Sequence, residues 1–145
     1  MLKPPLSKEL VRQKLKRIVA DVKQISAIVK KTSYEQLITD EVASTTVERR
    51  LERSINRSID INLHLIRVNK IPPPDDYTQS FFLLAKHKIL SPKLATALAP
   101  CVGTRNILVH EYDDLNTAQF YQALQKATQL FPKYVQAIEH YLDKF

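Results

Sequence analysis

The chain has 145 residues with one glycine, no tryptophan and a single cysteine, Cys101, which is enough length to bury a core without disulfides or a structural metal. A sheet protein of this size would need many more glycine-bearing turns, so the composition argues for helices, and a lone cysteine excludes an internal disulfide and suits a reducing compartment. The net charge of +7 lies in residues 1–31, which hold nine basic and two acidic side chains, while the other 114 residues carry 13 of each.

The N-terminus, Met1-Leu-Lys-Pro-Pro-Leu-Ser, lacks the apolar stretch of a signal peptide. No apolar run approaches the roughly 20 residues needed to span a bilayer. The expected location is the cytoplasm, with no membrane partner.

Ser7 is a good N-cap, and a first helix is predicted from there to about Lys31. Val11, Leu15, Ile18, Val22, Ile25 and Val29 follow at steps of four and three, the stripe of a helix facing a core. Lys8, Arg12, Lys16, Lys23 and Lys30 share a flank and make a basic ridge. Such a ridge either attracts polyanions or an acidic partner surface, or is a solvated face kept basic for solubility. Ser33 to Gln36 has capping-box spacing and opens a short turn.

A long helix is predicted over about residues 41–68, with Val47, Leu51, Ile55, Ile59, Leu63 and Ile66 inward. Beside them Arg53, Arg57, Asp60 and His64 form a polar row. It reads as an exposed face with an Arg57–Asp60 pair worth a few tenths of a kcal/mol. Ile71-Pro-Pro-Pro-Asp-Asp76 breaks the helix. Another is predicted from about Thr78 to Lys88, with Phe81, Phe82 and Leu84 or Ala85 inward. Ser91-Pro92 then pairs an N-cap with proline at the first helical position. That helix is predicted to reach about Val109 with a kink at Pro100. Asn116 to Gln119 resembles a capping box for a last helix, in which Pro132 is expected to bend the axis without ending it. Residues 1–145 are therefore expected to form one domain, an all-α antiparallel bundle of four to five main helices.

The chemistry concentrates in Cys101-Val-Gly-Thr-Arg105-Asn106-Ile-Leu-Val-His110-Glu-Tyr112-Asp-Asp. Leu94, Leu98, Cys101, Arg105, Leu108 and Tyr112 fall in one helical row, which places an arginine where a buried surface is expected. Burying an unpartnered guanidinium costs several kcal/mol, so something nearby should need it. Gly103, the only glycine, is expected to let another helix or a ligand backbone approach closely. An arginine fork suits phosphate, and a histidine can move a proton near neutral pH. One histidine does not easily serve as both acid and base, whereas a symmetric dimer supplies two. The alternative is a helix-end histidine on the C-terminal dipole and an arginine paired with Glu111 or Asp113. Spacing alone tilts slightly towards that alternative.

Arg105, four residues, His110, one residue, Tyr112 resembles the signature of the HEPN superfamily, in the form carried by HepT-type toxins. Glu48 to Arg53 with Ile59 to Ile66, Asp76 to Ala85 and Val102 to Asp113 resemble the family's later landmarks in the same order. The likeness covers about residues 41–116 well, and the first and last helices in character only.

The resemblance implies a homodimeric HEPN bundle with two copies of the motif at the two-fold axis. It implies a type VII-like toxin that cleaves RNA (transfer or messenger) without a metal or cofactor, leaving a cyclic phosphate. Arg105 would stabilise the phosphorane, His110 would transfer the proton and Asn106 would orient the site, making these three the catalytic set. The implied partner is a minimal nucleotidyltransferase antitoxin of the MntA type, which would transfer AMP to Tyr112. Two rivals remain: a non-catalytic bundle that binds a nucleotide or protein through Arg105, and a vestigial nuclease that serves mainly as the transferase's substrate. A metal enzyme fits least, because His64, His87, His110 and His140 are scattered.

Overall fold

The computed structural model describes residues 6–110, His110 by its backbone alone, and residues 117–145. The described residues form seven helices: α1 (Lys8–Lys31), α2 (Tyr34–Thr39), α3 (Glu41–Val68), α4 (Tyr77–Lys86), α5 (Pro92–Leu98), α6 (Cys101–His110) and α7 (Thr117–Leu142). Three are long, with α1, α3 and α7 at 24, 28 and 26 residues, and they build the core. Among the described residues no helix is long and apolar enough to cross a membrane.

The caps follow the sequence. Ser7 Oγ accepts the Leu10 N–H, Ser33 and Gln36 form a full capping box, and Ser91 caps α5 with Pro92 at its start. The expected Asn116 cap lies outside the described residues. The predicted kink at Pro100 is instead a break. α5 closes at Ala99, and α6 starts anew with Gly103 N–H donating to the Pro100 carbonyl at 3.1 Å. Proline has no N–H to continue the earlier ladder, so it opens the second helix rather than bending the first. Pro132 lies inside α7 without ending it.

Cross-helix bonds fix the directions. Lys14 meets Asp60 and Asp21 meets Arg50 and Arg57, so α1 and α3 run antiparallel. Arg12 reaches Glu139 and Asp143 while Val22 and Lys23 lie beside Thr128 and Phe131, so α7 also runs against α1. Tyr134 meets Ser58 and Asn62, while Asn69 meets Tyr141, so α7 runs parallel to α3. The seams bury Leu15, Ile18 and Ile25 of α1, Leu51, Ile55 and Leu65 of α3, and Phe131, Tyr134 and Ile138 of α7. Each such side chain contributes about 1.5–3 kcal/mol by leaving water.

The polar row on α3 does not behave as an exposed face. Arg57 leaves Asp60 and donates to the buried Asp21 of α1 at 2.5 Å, and its side chain is only 14% exposed. Asp60 pairs with Lys14 instead. His64 Nε2 accepts the Ser7 N–H at 3.2 Å. All four residues thus reach α1 or its cap, Arg53 more loosely with Nε 3.9 Å from Asp21, and their partners lie 32 to 57 positions away.

The His64 bond requires an unprotonated Nε2. Burial first, and then Arg67, lowers the histidine's pKa below its usual 6.5. A group held neutral in the fold stabilises it above the unfolded pKa, and that contribution disappears as pH falls through the lowered folded value. The urea midpoint is therefore expected to drop between pH 7 and 5.5, by less in a His64→Gln variant. Equal pH slopes for the two proteins would contradict this.

Candidate active site

α6 packs beside α3 and carries Arg105 on the side that faces it. The guanidinium is held at three points. Its Nε–H donates to Asn56 Oδ1 of α3 at 2.8 Å, and Nη1 donates to Asn106 Oδ1 at 3.1 Å. The Tyr77 ring at the start of α4 lies 5.6 Å from the guanidinium carbon, within cation–π range. These contacts supply the need for a partner that the row position implied. They do so with neutral groups, which leaves the arginine's charge uncompensated by any described carboxylate. Arg105 is half-buried, so a ligand can reach the fork.

Tyr77 is itself anchored from the core. The fully buried Tyr134 hydroxyl donates to Asn62 Oδ1 at 2.7 Å, with the Ser58 carbonyl at 3.0 Å. Asn62 Nδ2 donates to Ser80 Oγ at 3.1 Å, and Ser80 Oγ donates to the Tyr77 carbonyl at 2.6 Å. Burial pushes the Tyr134 phenol well above its usual pKa, so it stays a neutral donor. A satisfied buried network of this kind rigidifies its neighbourhood. Here it ties the base of α4, and so the ring against Arg105, to α3 and α7.

Of the sequence-predicted site residues, Arg105 and Asn106 are brought together directly. His110 is the last residue of α6. On helical geometry its Cα lies about 7.5 Å further along the axis and about 140° around it from Arg105. Its side chain lies outside the described residues, as do Tyr112, Glu111 and Asp113, so the alternative pairing of Arg105 with either acid falls there too. At Gly103 a Cβ would meet nothing within 4 Å, so no described element of this chain makes the close approach and the surface there is open. Cys101, one turn before Arg105, has its thiol pushed up to about 11 by burial, which leaves it protonated and unreactive at neutral pH. Among the described residues no three His, Cys, Asp or Glu side chains converge as metal ligands.

The sequence reading missed Asn56 and Tyr77. Asn56 lies 49 positions from Arg105 on the edge of a helix whose apolar stripe does not mark it. Tyr77 follows the Asp76 cap of α4 and reads locally as an ordinary exposed aromatic.

The family model described as HepT-like ribonuclease matches residues 16–138. The tRNA nuclease HepT of Aphanizomenon flos-aquae is 41% identical over 114 residues, covering 77% of this chain and 71% of that protein. The mRNA nuclease HepT of Shewanella oneidensis is 28% identical over 131 residues, covering 90% and 97%. The tri-AMPylated Shewanella oneidensis HEPN toxin, solved in complex with its MNT antitoxin, superposes with a TM-score of 0.83 at 27% identity, covering 92% of this chain and 99% of that one.

Proposed function

This chain belongs to the HepT-like ribonuclease family, and from that we propose that it is the endoribonuclease toxin of a toxin–antitoxin pair, with Arg105, Asn106 and His110 as its catalytic residues. The observation that carries the reading is the held guanidinium. Arg105 is fixed by Asn56, Asn106 and Tyr77 with its charge intact, five residues before a histidine on the same helix.

That arrangement suits phosphodiester cleavage without a metal. His110 removes the proton from the ribose 2′-hydroxyl, whose oxygen attacks the adjacent phosphorus. Arg105 stabilises the charge that builds on the non-bridging oxygens. The 5′-oxygen leaves and a cyclic phosphate remains. One imidazole cannot take and give a proton in the same instant, and a homodimer that places two α6 ends at its axis supplies the second. The open surface over Gly103 is compatible with such an approach. The two nuclease relatives are named for different RNAs, transfer and messenger. What those substrates share, a phosphodiester beside a 2′-hydroxyl, is all that this chemistry requires.

The AMP-carrying relative bound to its antitoxin supports a nucleotidyltransferase partner that modifies Tyr112, two residues beyond His110. An added phosphate there brings negative charge where RNA phosphate must sit, so it repels substrate. Expression of the chain is expected to arrest growth, and co-expression of a cognate nucleotidyltransferase to relieve the arrest. Tyr112→Phe should keep the arrest while escaping relief, with no AMP adduct by intact mass. Relief of Tyr112→Phe as complete as that of wild type would remove the tyrosine from the account.

A further inference from the structure

Resting on the ribonuclease reading, we propose that the outer face of α3 carries the RNA strand away from the cleaved bond, with Arg49 and Arg53 as phosphate contacts. Asn56, which holds Arg105, shares one face of α3 with Arg53 and Arg49, three and seven residues earlier. Those steps place the two arginines about 4.5 and 10.5 Å along the helix axis from Asn56. They border a concave patch of about 560 Å³ lined by Thr45, Thr46, Arg49, Arg50 and Arg53, with Glu41 at one end.

The charges in this patch are not all committed. Asp21 is nearly fully buried, and its two oxygens already accept from Arg50 at 2.7 Å and Arg57 at 2.5 Å. Arg53 stands 3.9 Å from that carboxylate with a side chain 43% exposed, so its donors are available to a ligand. Arg49 makes one pair, its Nη1 donating to the largely buried Glu52 carboxylate at 2.8 Å. That pair uses only Nη1 of a side chain 68% exposed, so the remaining donors of Arg49 are open to a phosphate while Glu52 keeps its partner. Four guanidiniums (Arg49, Arg50, Arg53, Arg57) face three carboxylates (Asp21, Glu41, Glu52), one of them sealed beneath.

The basic ridge of α1 lies elsewhere. Arg12 is turned to α7 by Glu139 and Asp143, and Lys23 borders a groove against Thr128 and Phe131 of α7. Asp21 and the arginines it holds lie at the α1–α3 seam instead. Of these two basic surfaces, the α3 face is the one that shares Asn56, the residue that holds Arg105.

The test uses a fluorescein-labelled single-stranded RNA of mixed sequence and full-length protein carrying His110→Ala to keep the probe intact. Binding is titrated across salt for that protein, for Arg49→Gln/Arg53→Gln and for the charge-matched Lys23→Gln/Lys30→Gln. Each phosphate contact contributes about 0.7 to the slope of log affinity against log salt for single strands. The α3 variant should therefore lose about 1.4 of slope, and the α1 variant should keep it. Arg49→Lys/Arg53→Lys should restore most of the lost slope, and melting curves show that all variants fold. Equal slopes for the α3 variant and its parent, or a loss that follows the α1 lysines, overturns the proposal. So does a variant that loses antitoxin binding with its RNA slope intact, because the surface then belongs to the protein partner. Cleavage of the same RNA by unmodified His110 protein is measured alongside. Absence of cleavage removes the ribonuclease reading, while the salt slope still decides this one.

Discussion

Arg105→Gln is expected to lower the rate of RNA cleavage by about 10²–10³-fold, the range observed when one donor to a transition-state oxyanion is removed. The glutamine keeps a polar side chain but is shorter and carries no charge and no guanidinium fork. The fold should tolerate the change, because what Arg105 touches is a neutral amide, a half-exposed tyrosine ring and its own neighbour, Asn106. Thermal melting of the variant should stay within a few degrees of wild type. Arg105→Lys keeps the charge but loses the Nε–H that Asn56 receives, so it should also lose most activity. Asn56→Leu leaves the guanidinium present but free to swing, and should fall between wild type and Arg105→Gln. Undiminished cleavage by Arg105→Gln would show that this guanidinium does not meet the reacting phosphate.

The second large effect concerns stability. Asp21 is 3% exposed and accepts from Arg50 and Arg57 across the α1–α3 seam. Asp21→Asn keeps the shape but strips the only carboxylate that the largely buried Arg57 contacts among the described residues. Removing one partner of a buried pair costs about 3–5 kcal/mol, because the other charge stays desolvated. For a chain of this length that is a fall in Tm on the order of 10 °C. Replacing Asp21 and Arg57 together by apolar residues of similar volume should recover much of the loss, since the pair itself contributes little against a well-packed isostere. The exposed pairs of Arg12 with Glu139 and Asp143 should cost less than about 1 kcal/mol when broken. A small effect at Asp21 and a large one at Arg12 would reverse this account of the seam.

Much of the architecture was legible because helical periodicity records which side of a segment leaves water. The stripe of Val11, Leu15, Ile18, Val22 and Ile25 is buried as its spacing required, with Val29 partly so. Ser7, Ser33 and Ser91 cap where short-range chemistry placed them. Periodicity placed one aromatic on the wrong side, Phe82, expected inward but 43% exposed, and it does not say which distant residue a face meets. Arg57 and Asp60 are well spaced to pair along their own helix, yet each finds a partner on α1. One signal was present: Asp21 sits three residues after Ile18 and four before Ile25, an acid set against an apolar stripe. Such a residue needs cations from another element. The Ala99–Pro100 break was misread because proline serves equally as a kink within one helix and as the opening of the next.

The candidate site divides along the same line. Arg105, Asn106 and His110 are close in sequence, so local spacing and resemblance could find them. Asn56 and Tyr77 hold the arginine from two other helices, and only the packing of α3, α4 and α6 brings them there. The buried path from Tyr134 through Asn62 and Ser80 to Tyr77 spans residues 62 to 134 and has no local signature.

The measurement that bears most directly on the central claim is cleavage of a mixed RNA pool by purified wild type and His110→Ala, in EDTA, with product ends analysed. Cleavage by wild type alone, leaving cyclic phosphate ends, is the predicted result, with the variant slower by about 10²–10⁴-fold. Equal cleavage by both proteins, or cleavage that EDTA abolishes, would contradict a metal-independent ribonuclease acting through His110.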